Sequence, residues 1–445
     1  MDDRQLATHV MDGGRLRALL LELWQRTRMD WGFVTDRLAV TFRKEKWLGA
    51  HERRFVGETL YGLVRNLRRV DLAIERGRLH AKAKQAPRDL ERLVALLVLD
   101  KLIEPARASR ELPELDWSAA AGVDDAIGRI RTPVERIALA CSLPDWLAAR
   151  LVADWGDDAE ALARALNERA PMTVRANLLV VKDRDELAAE LQLASHAGAW
   201  CDTALVIDAR TNLFATEAFK RGAMEAQDEG SQLLADLVVA CAPKDKPLVV
   251  DYCAGAGGKT LAIAARLANK GRIVSTDVDP GKLEELRRRA RRARVSNARA
   301  LTIDDRELDQ LGGKADVVFV DAPCSGIGAL RRNPEARWRL READLAGFAA
   351  RQKQILADAM RLAAPAGRVV YATCSLLRAE NDDVAAAYDA VPLRGVLGDE
   401  RARALGDGES FTVTPHRHGT DGFFARVVRK PRLSPGRAAT RSVAE

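Results

Sequence analysis

Two cysteines sit where a thiol can do chemistry: Cys324 in Asp321-Ala-Pro-Cys-Ser-Gly326 and Cys374 in Tyr371-Ala-Thr-Cys-Ser375. Each follows a short apolar run that reads as a buried strand. A third such run ends in Asp251-Tyr-Cys-Ala-Gly-Ala-Gly-Gly-Lys-Thr260, a glycine-rich turn. Reactive groups in open α/β sheets gather beyond the carboxyl ends of strands, so the three loops are expected to share one crevice. A cofactor turn beside two candidate nucleophiles suits covalent methyl transfer to a pyrimidine. Carbon 5 of cytosine is a poor nucleophile. A thiolate adding at carbon 6 makes carbon 5 able to attack a sulfonium methyl group, and a base must then remove the carbon-5 proton so that sulfur can leave. A free thiol, with a pKa of about 8.5, is little ionised at neutrality and needs a basic neighbour. Lys259 and Arg378 are the candidates. The commonest fate of a free cysteine is simple burial, and Cys141, Cys201 and Cys241, which lack such a setting, are assigned to packing.

The glycine turn excludes two nucleotide motifs. A phosphate-binding P-loop needs glycine at position 253, where Cys253 stands, and the dinucleotide pattern needs glycine at 260, where Thr260 stands. What remains is an acid-led strand, then Gly255, Gly257 and Gly258, then a helix. Such a turn lets the backbone approach a ligand and offers helix N–H groups, as an S-adenosylmethionine methyltransferase requires for the methionine part of its cofactor. Asp277, ending the next strand pattern, is placed for ribose hydroxyls. Asp304, after the third, is placed to accept from the adenine amino group.

The elements that must position these groups follow from patterning. The 445 residues allow two or three domains. Residues 15–150 read as helices, with Phe55, Val56, Thr59, Leu60, Leu63, Val64 and Leu67 on one stripe and further helices at 91–104 and 133–153. Strand-like Met172–Val181 and helix-like Asp183–Leu193 open a small α+β segment. From Asp228 onward strands are predicted at 247–252, 272–277, 299–303, 316–321 and 367–373 with helices between, and a hairpin from 411–413 and 423–427. The expected domains are an all-helical one over 1–155, an α+β segment over 156–226, a Rossmann-like α/β catalytic domain over 227–430, and a basic disordered tail over 431–445.

Composition narrows the class further. No stretch approaches the roughly 20 apolar residues of a membrane helix, and the acidic N-terminus is no secretory signal. Scattered cysteines suit a reducing cytoplasm. The six histidines, His9, His51, His80, His196, His416 and His418, form no metal-ligand spacing with them, so no metal is expected. A net charge of +7 favours a polyanionic partner without requiring one.

Several blocks together carry a resemblance. Cys253-Ala-Gly-Ala-Gly-Gly-Lys-Thr260, Asp321-Ala-Pro-Cys-Ser-Gly326, Arg331-Arg-Asn-Pro-Glu-Ala-Arg-Trp338, Tyr371-Ala-Thr-Cys-Ser375, Gln227-Asp-Glu-Gly-Ser-Gln232 and Gly419-Thr-Asp-Gly-Phe-Phe424 resemble the signature blocks of the RNA cytosine-5 methyltransferases of the RsmB/Sun type. Glu52–Asn66 resembles the NusB-like RNA-binding domain attached to the bacterial ribosomal RNA enzymes. The resemblance implies attack by Cys374, product release aided by Cys324, and orientation of the cytosine by Asp321. It implies cofactor contacts from Cys253, Ala254, Gly255, Ala256, Gly257, Gly258, Lys259, Asp277, Asp304 and Asp321. Two departures stand out. The usual Ala-Ala-Pro-Gly-Gly loop is Ala254-Gly-Ala-Gly-Gly258, and the usual Gly-Asp-Gly is Ile303-Asp304-Asp305, which leaves the adenine contact open between two acids.

The target base must be flipped out or single-stranded to be reached. Arg331, Arg332, Arg337 and Trp338 are expected to line the RNA entrance, with Trp338 stacking on a base or, equally, serving as a core residue. The arginines of 287–294 are assigned to a solvated helix face, because Leu283, Leu286, Ala290 and Ala293 form that helix's buried stripe. The expectation is a cytoplasmic, monomeric enzyme acting on ribosomal RNA with S-adenosylmethionine. Transfer RNA is the alternative substrate, and a non-catalytic ribosome-assembly factor is the alternative role.

Overall fold

The computed structural model describes residues 2–78, 86–208, 211–243 and 245–429. The expected tail over 431–445, and His80, lie outside the described residues. The chain forms two compact units. One contains the chain to Ala170 with Ser325–Leu345 and Thr414–Gly419; the other contains Pro171–Cys324, Ala346–Val413 and the chain from Thr420.

The first unit is helical, and its longest helix is Ala50–Gly77. The predicted stripe is buried from Phe55 to Val64, packed with Trp24, Leu93, Leu96 and Trp117. Two sequence boundaries shift. The expected helix 133–153 is two helices, Pro133–Ala140 and Asp145–Trp155. Pro144 disfavours helical geometry in the residue before it, and Ser142 takes φ 48°. The expected helix 91–104 stops at Leu99, just before Lys101 turns left-handed at φ 56°.

The second unit opens with a ferredoxin-like α+β segment. Its strands β1 (Met172–Ala176), β2 (Ser195–Ala197), β3 (Ala204–Ile207) and β4 (Met224–Ala226) form an antiparallel sheet in the order β2-β3-β1-β4. The strand expected to reach Val181 ends at Ala176. Asn177 turns the chain there, and its side-chain amide donates to the carbonyls of Gly222 (2.8 Å) and Ala293 (2.9 Å).

The larger sheet contains β5 (Leu248–Asp251), β6 (Arg272–Asp277), β7 (Ala298–Thr302), β8 (Ala315–Asp321), β9 (Ala363–Thr373), β10 (Asp389–Ala390), β11 (Phe411–Val413) and β12 (Phe423–Arg429). Its order is β10-β12-β9-β8-β5-β6-β7, with β11 paired to β12. β7, β6, β5, β8 and β9 run parallel, and β12 is antiparallel to β9. The predicted hairpin is present, with Phe411 opposite Ala425. Strand β9 begins earlier than predicted, at Ala363. The register jumps from Ala315 opposite Ala363 to Val317 opposite Arg368. Gly367 permits the irregularity, because a side chain there would meet the Ala315 carbonyl at 2.6 Å.

Period-two geometry divides the strand residues between two cores. Val249, Val317, Phe319, Val370 and Ala372 enter one. Val250, Val318, Val320, Val369 and Tyr371 enter the other. Apolar residues on both faces explain why these strands read as continuous apolar runs rather than alternating ones.

Candidate active site

The chain leaves β5, goes to β6 and β7 on one side, and returns to β8 on the other. That reversal opens a crevice at the carboxyl ends of β5 and β8. The glycine turn follows β5. Gly255 and Gly257 adopt φ 54° and 83°, which disfavours other residues. A side chain on Gly257 would collide with Leu286 at 2.5 Å, whereas one on Gly255 would project into open space. Three bonds tie the turn to its neighbours: Ala254 N–H to the Thr276 carbonyl (2.8 Å), Gly255 N–H to Asp277 Oδ2 (2.9 Å) and Arg289 Nη1 to the Ala256 carbonyl (2.8 Å).

The residues present fit S-adenosylmethionine. Gly255 leaves an open cradle, and the helix Gly258–Arg266 begins beside it. Asp277 ends β6, as a ribose-binding acid must. The two acids after β7 separate by geometry. Asp305 caps the following helical turn, its Oδ1 accepting from the Glu307 N–H at 2.8 Å, and Asp304 is exposed. The Cys253 side chain is partly buried, and that burial pushes its thiol pKa upward.

Beneath the turn, Asp251 is 1% exposed. Burial pushes its carboxyl up to about 7, although Thr260 Oγ1 donates to it at 2.6 Å. Lys259 Nζ contacts Asp321 Oδ2 at 2.6 Å and lies 5.5 Å from the centre of the Phe423 ring. Burial works to lower the lysine pKa, but the Asp321 carboxylate outweighs it and holds the ammonium form, with Cys374 adding in the same direction. Lys259 is therefore a cation within electrostatic reach of the Cys374 thiol. Arg378, the other candidate, is exposed and pairs with Asp383 at 3.2 Å.

The sulfur atoms of Cys324 and Cys374 lie 3.3 Å apart, although 50 positions separate them in sequence. Both are partly exposed, whereas Cys141, Cys201 and Cys241 are buried. Burial raises the Cys141 and Cys241 thiols to about 11. Adjacent parallel strands β8 and β9 bring the pair together, with Asp321 opposite Ala372 in the register. Among the described residues no cluster of three or more His, Cys, Asp or Glu side chains is arranged to hold a metal ion. Nor is any described helix long and apolar enough to cross a membrane.

The basic residues expected at an RNA entrance belong to the helical unit. Two of them are corrected by their burial. Arg337 is fully buried and donates to the Cys141 carbonyl and to Asn167 Oδ1, each at 2.7 Å; Arg331 is 5% exposed and donates to the Gly419 carbonyl at 2.7 Å. Enclosed guanidiniums spent on protein oxygens brace the fold. Trp338 donates to the Val64 carbonyl (2.9 Å) and packs against Trp31 at 5.7 Å, which is the core role. Arg332 stays partly exposed.

Sequence reasoning missed Arg289. It is no solvated arginine: besides holding Ala256, it pairs with Glu225 of β4 at 3.0 Å, and Arg292 joins the same carboxylate. Position 289 is one helical turn from Leu286 and adjoins the buried stripe, which was the available signal. Phe423 was legible as a strand residue and as part of a signature block, but not as the ring beside Lys259.

A family model described as 16S rRNA methyltransferase RsmB/F matches residues 238–429, and one described as an RsmF/B-like ferredoxin-like domain matches residues 143–213. A Bacillus subtilis protein named probable ribosomal RNA small subunit methyltransferase B is 33% identical over 320 residues, covering 68% of this chain and 69% of its own length. A Shewanella oneidensis protein named ribosomal RNA small subunit methyltransferase B is 30% identical over 334 residues, covering 73% and 77%. Among solved structures, a methyltransferase homolog from Pyrococcus horikoshii matches with a TM-score of 0.56 at 25% identity, covering 68% of this chain and all of that one. NSun6 from the same organism, solved with SFG, shares the fold with a TM-score of 0.55 at 21% identity, covering 64% and 98%. The chain belongs to the RsmB/F family of 16S rRNA methyltransferases, enzymes that take their methyl group from S-adenosylmethionine.

Proposed function

We propose that this enzyme methylates carbon 5 of a cytosine in small-subunit ribosomal RNA through a transient bond between Cys374 Sγ and the base. The observation that carries the reading is the cluster of two partly exposed thiols, 3.3 Å apart, with the Lys259–Asp321 pair next to the glycine cradle. S-adenosylmethionine supplies an electrophilic methyl group on a sulfonium sulfur. Cys374 reacts as its thiolate, which adds to carbon 6 of the cytosine. Asp321 Oδ2 already accepts from Lys259, and its carboxylate can also accept from the cytosine amino group and so orient the ring. After carbon 5 is methylated, its proton must depart before the carbon–sulfur bond breaks and returns the electron pair to Cys374. Cys324, in contact with Cys374, is the group placed to assist that release. The helical domain over 1–155 and the α+β segment over 156–226 would present the RNA to the catalytic domain in the cytoplasm.

Bisulfite sequencing of RNA from a strain lacking the protein tests the reading. One cytosine of small-subunit ribosomal RNA is expected to lose protection, and adding back the enzyme restores it. Protection lost only in transfer RNA, or nowhere, overturns the proposed substrate.

A further inference from the structure

The helix Asp344–Leu362 contributes a side chain that touches both thiol loops. Gln352 is fully buried, and its Nε2 donates to the carbonyl of Pro323 and to Glu380 Oε1, each at 3.0 Å. Pro323 immediately precedes Cys324. Glu380 is likewise fully buried, and its other oxygen accepts from Ser375 Oγ at 2.5 Å, immediately after Cys374. One chain of hydrogen bonds thus runs from the residue before one thiol to the residue after the other.

The far end is braced on both sides of Cys374. Thr373 Oγ1 donates to Asn381 Oδ1 (2.6 Å), and Asn381 Nδ2 donates to the Ser375 carbonyl (3.1 Å). Tyr371 Oη donates to the Glu380 carbonyl at 2.6 Å, which ties the carboxylate's own backbone to β9. Gln352 Oε1 is buried without a hydrogen-bond partner, so the residue retains a desolvated amide for its two donor bonds. A core position filled only for packing would take an apolar side chain without that cost. Strands β8 and β9 set the thiol loops side by side, but the loops leave the sheet before reaching the sulfur atoms. Beyond the direct bond from the Ala322 N–H to the Ala372 carbonyl (2.8 Å), Gln352 is a side chain that contacts both loops.

We infer that Gln352 is a positioning residue which, through Pro323 and Glu380, fixes the distance between Cys324 and Cys374, and with it the step that frees the methylated base. The link to release rests on the reaction proposed above; the spacing does not.

Two measurements on Gln352→Met, which keeps the volume and removes the donor, separate these. The first needs neither RNA nor cofactor. Diamide oxidises two adjacent thiols to a disulfide, takes up their two hydrogens and becomes the hydrazine; mass spectrometry reports the rate at the 324–374 pair. The variant is expected to form this disulfide about tenfold more slowly than wild type, with the circular dichroism spectrum unchanged. The second follows the covalent protein–RNA band on a denaturing gel, which is expected to decay about tenfold more slowly in the variant. A folded variant whose disulfide rate stays within twofold of wild type overturns the positioning role. Slower disulfide formation with unchanged decay of the band limits Gln352 to spacing and overturns its part in release. Absence of the band from both proteins and from Cys324→Ala counts against the proposed reaction and leaves the disulfide comparison intact. Should Gln352→Met not fold, Gln352→Leu also removes the donor, and its disulfide and band-decay rates decide between the same outcomes.

Discussion

Glu225 of β4 and Arg289 of the helix Pro280–Arg292 form an ion pair at 3.0 Å, and the same guanidinium holds the Ala256 carbonyl of the cofactor turn. The α+β segment therefore reaches the glycine loop through two side chains. Glu225 is buried and also bonds Arg292, so removing its charge strands two cations. Glu225→Gln is expected to cost about 3 kcal/mol in denaturant unfolding. Calorimetry should also show several-fold weaker cofactor binding. Unchanged affinity in the folded variant would mean that the turn holds its shape unaided.

The two thiols are expected to fail differently. Cys374→Ala should abolish methyl incorporation while cofactor affinity stays within a few-fold of wild type. Cys324→Ala should retain the enzyme on its RNA as a band that survives denaturing electrophoresis. Turnover by the first variant, or no band from the second, reverses the assignment of roles.

The glycines separate binding from stability. Both sit at positive φ, where alanine costs about 1 kcal/mol. Gly255→Ala adds a methyl group in open space, so its larger effect should be on cofactor affinity, at about tenfold or more. Gly257→Ala drives a methyl group into Leu286, and its larger effect should be a lowered melting temperature. Equal losses of affinity and stability in the two variants would contradict this division.

Asp251 makes stability depend on pH in a definite direction. Its carboxyl titrates at about 7 in the fold, against about 3.9 in an unfolded chain. Between those values the folded protein keeps a proton that the unfolded chain has released. The contribution is therefore complete below about pH 4 and lost as pH rises through about 7. Asp251→Asn cannot ionise. Its melting temperature relative to wild type should improve from about pH 5 to about pH 8. A constant difference across that range would place the titration elsewhere.

The parallel strands were legible because both faces of β5 and β8 are apolar, and the helical stripe of 55–64 because its period is that of a helix. The glycine turn and both thiols could be read from residue type at strand ends. The capping bond of Asp305 could not be read, since only geometry shows its carboxylate turned to the Glu307 N–H. Arg337 misled because an arginine in a basic run reads as exposed, while its guanidinium donates to oxygens up to 196 positions away. Gln352 was invisible for a similar reason. Its partners, Pro323 and Glu380, lie 29 and 28 positions to either side, and nothing local marks a glutamine as buried.

Strand β12 pairs with β9 in a register that sets Phe424 against Thr373, beside the Cys374 thiol, and puts the Phe423 ring near Lys259. Some of the last described residues thus wall a pocket whose floor was laid far earlier in the chain, at Asp251 to Lys259. Both thiols precede β12 in the chain, so the nucleophiles are in place in sequence before the residues that flank β9 and Lys259.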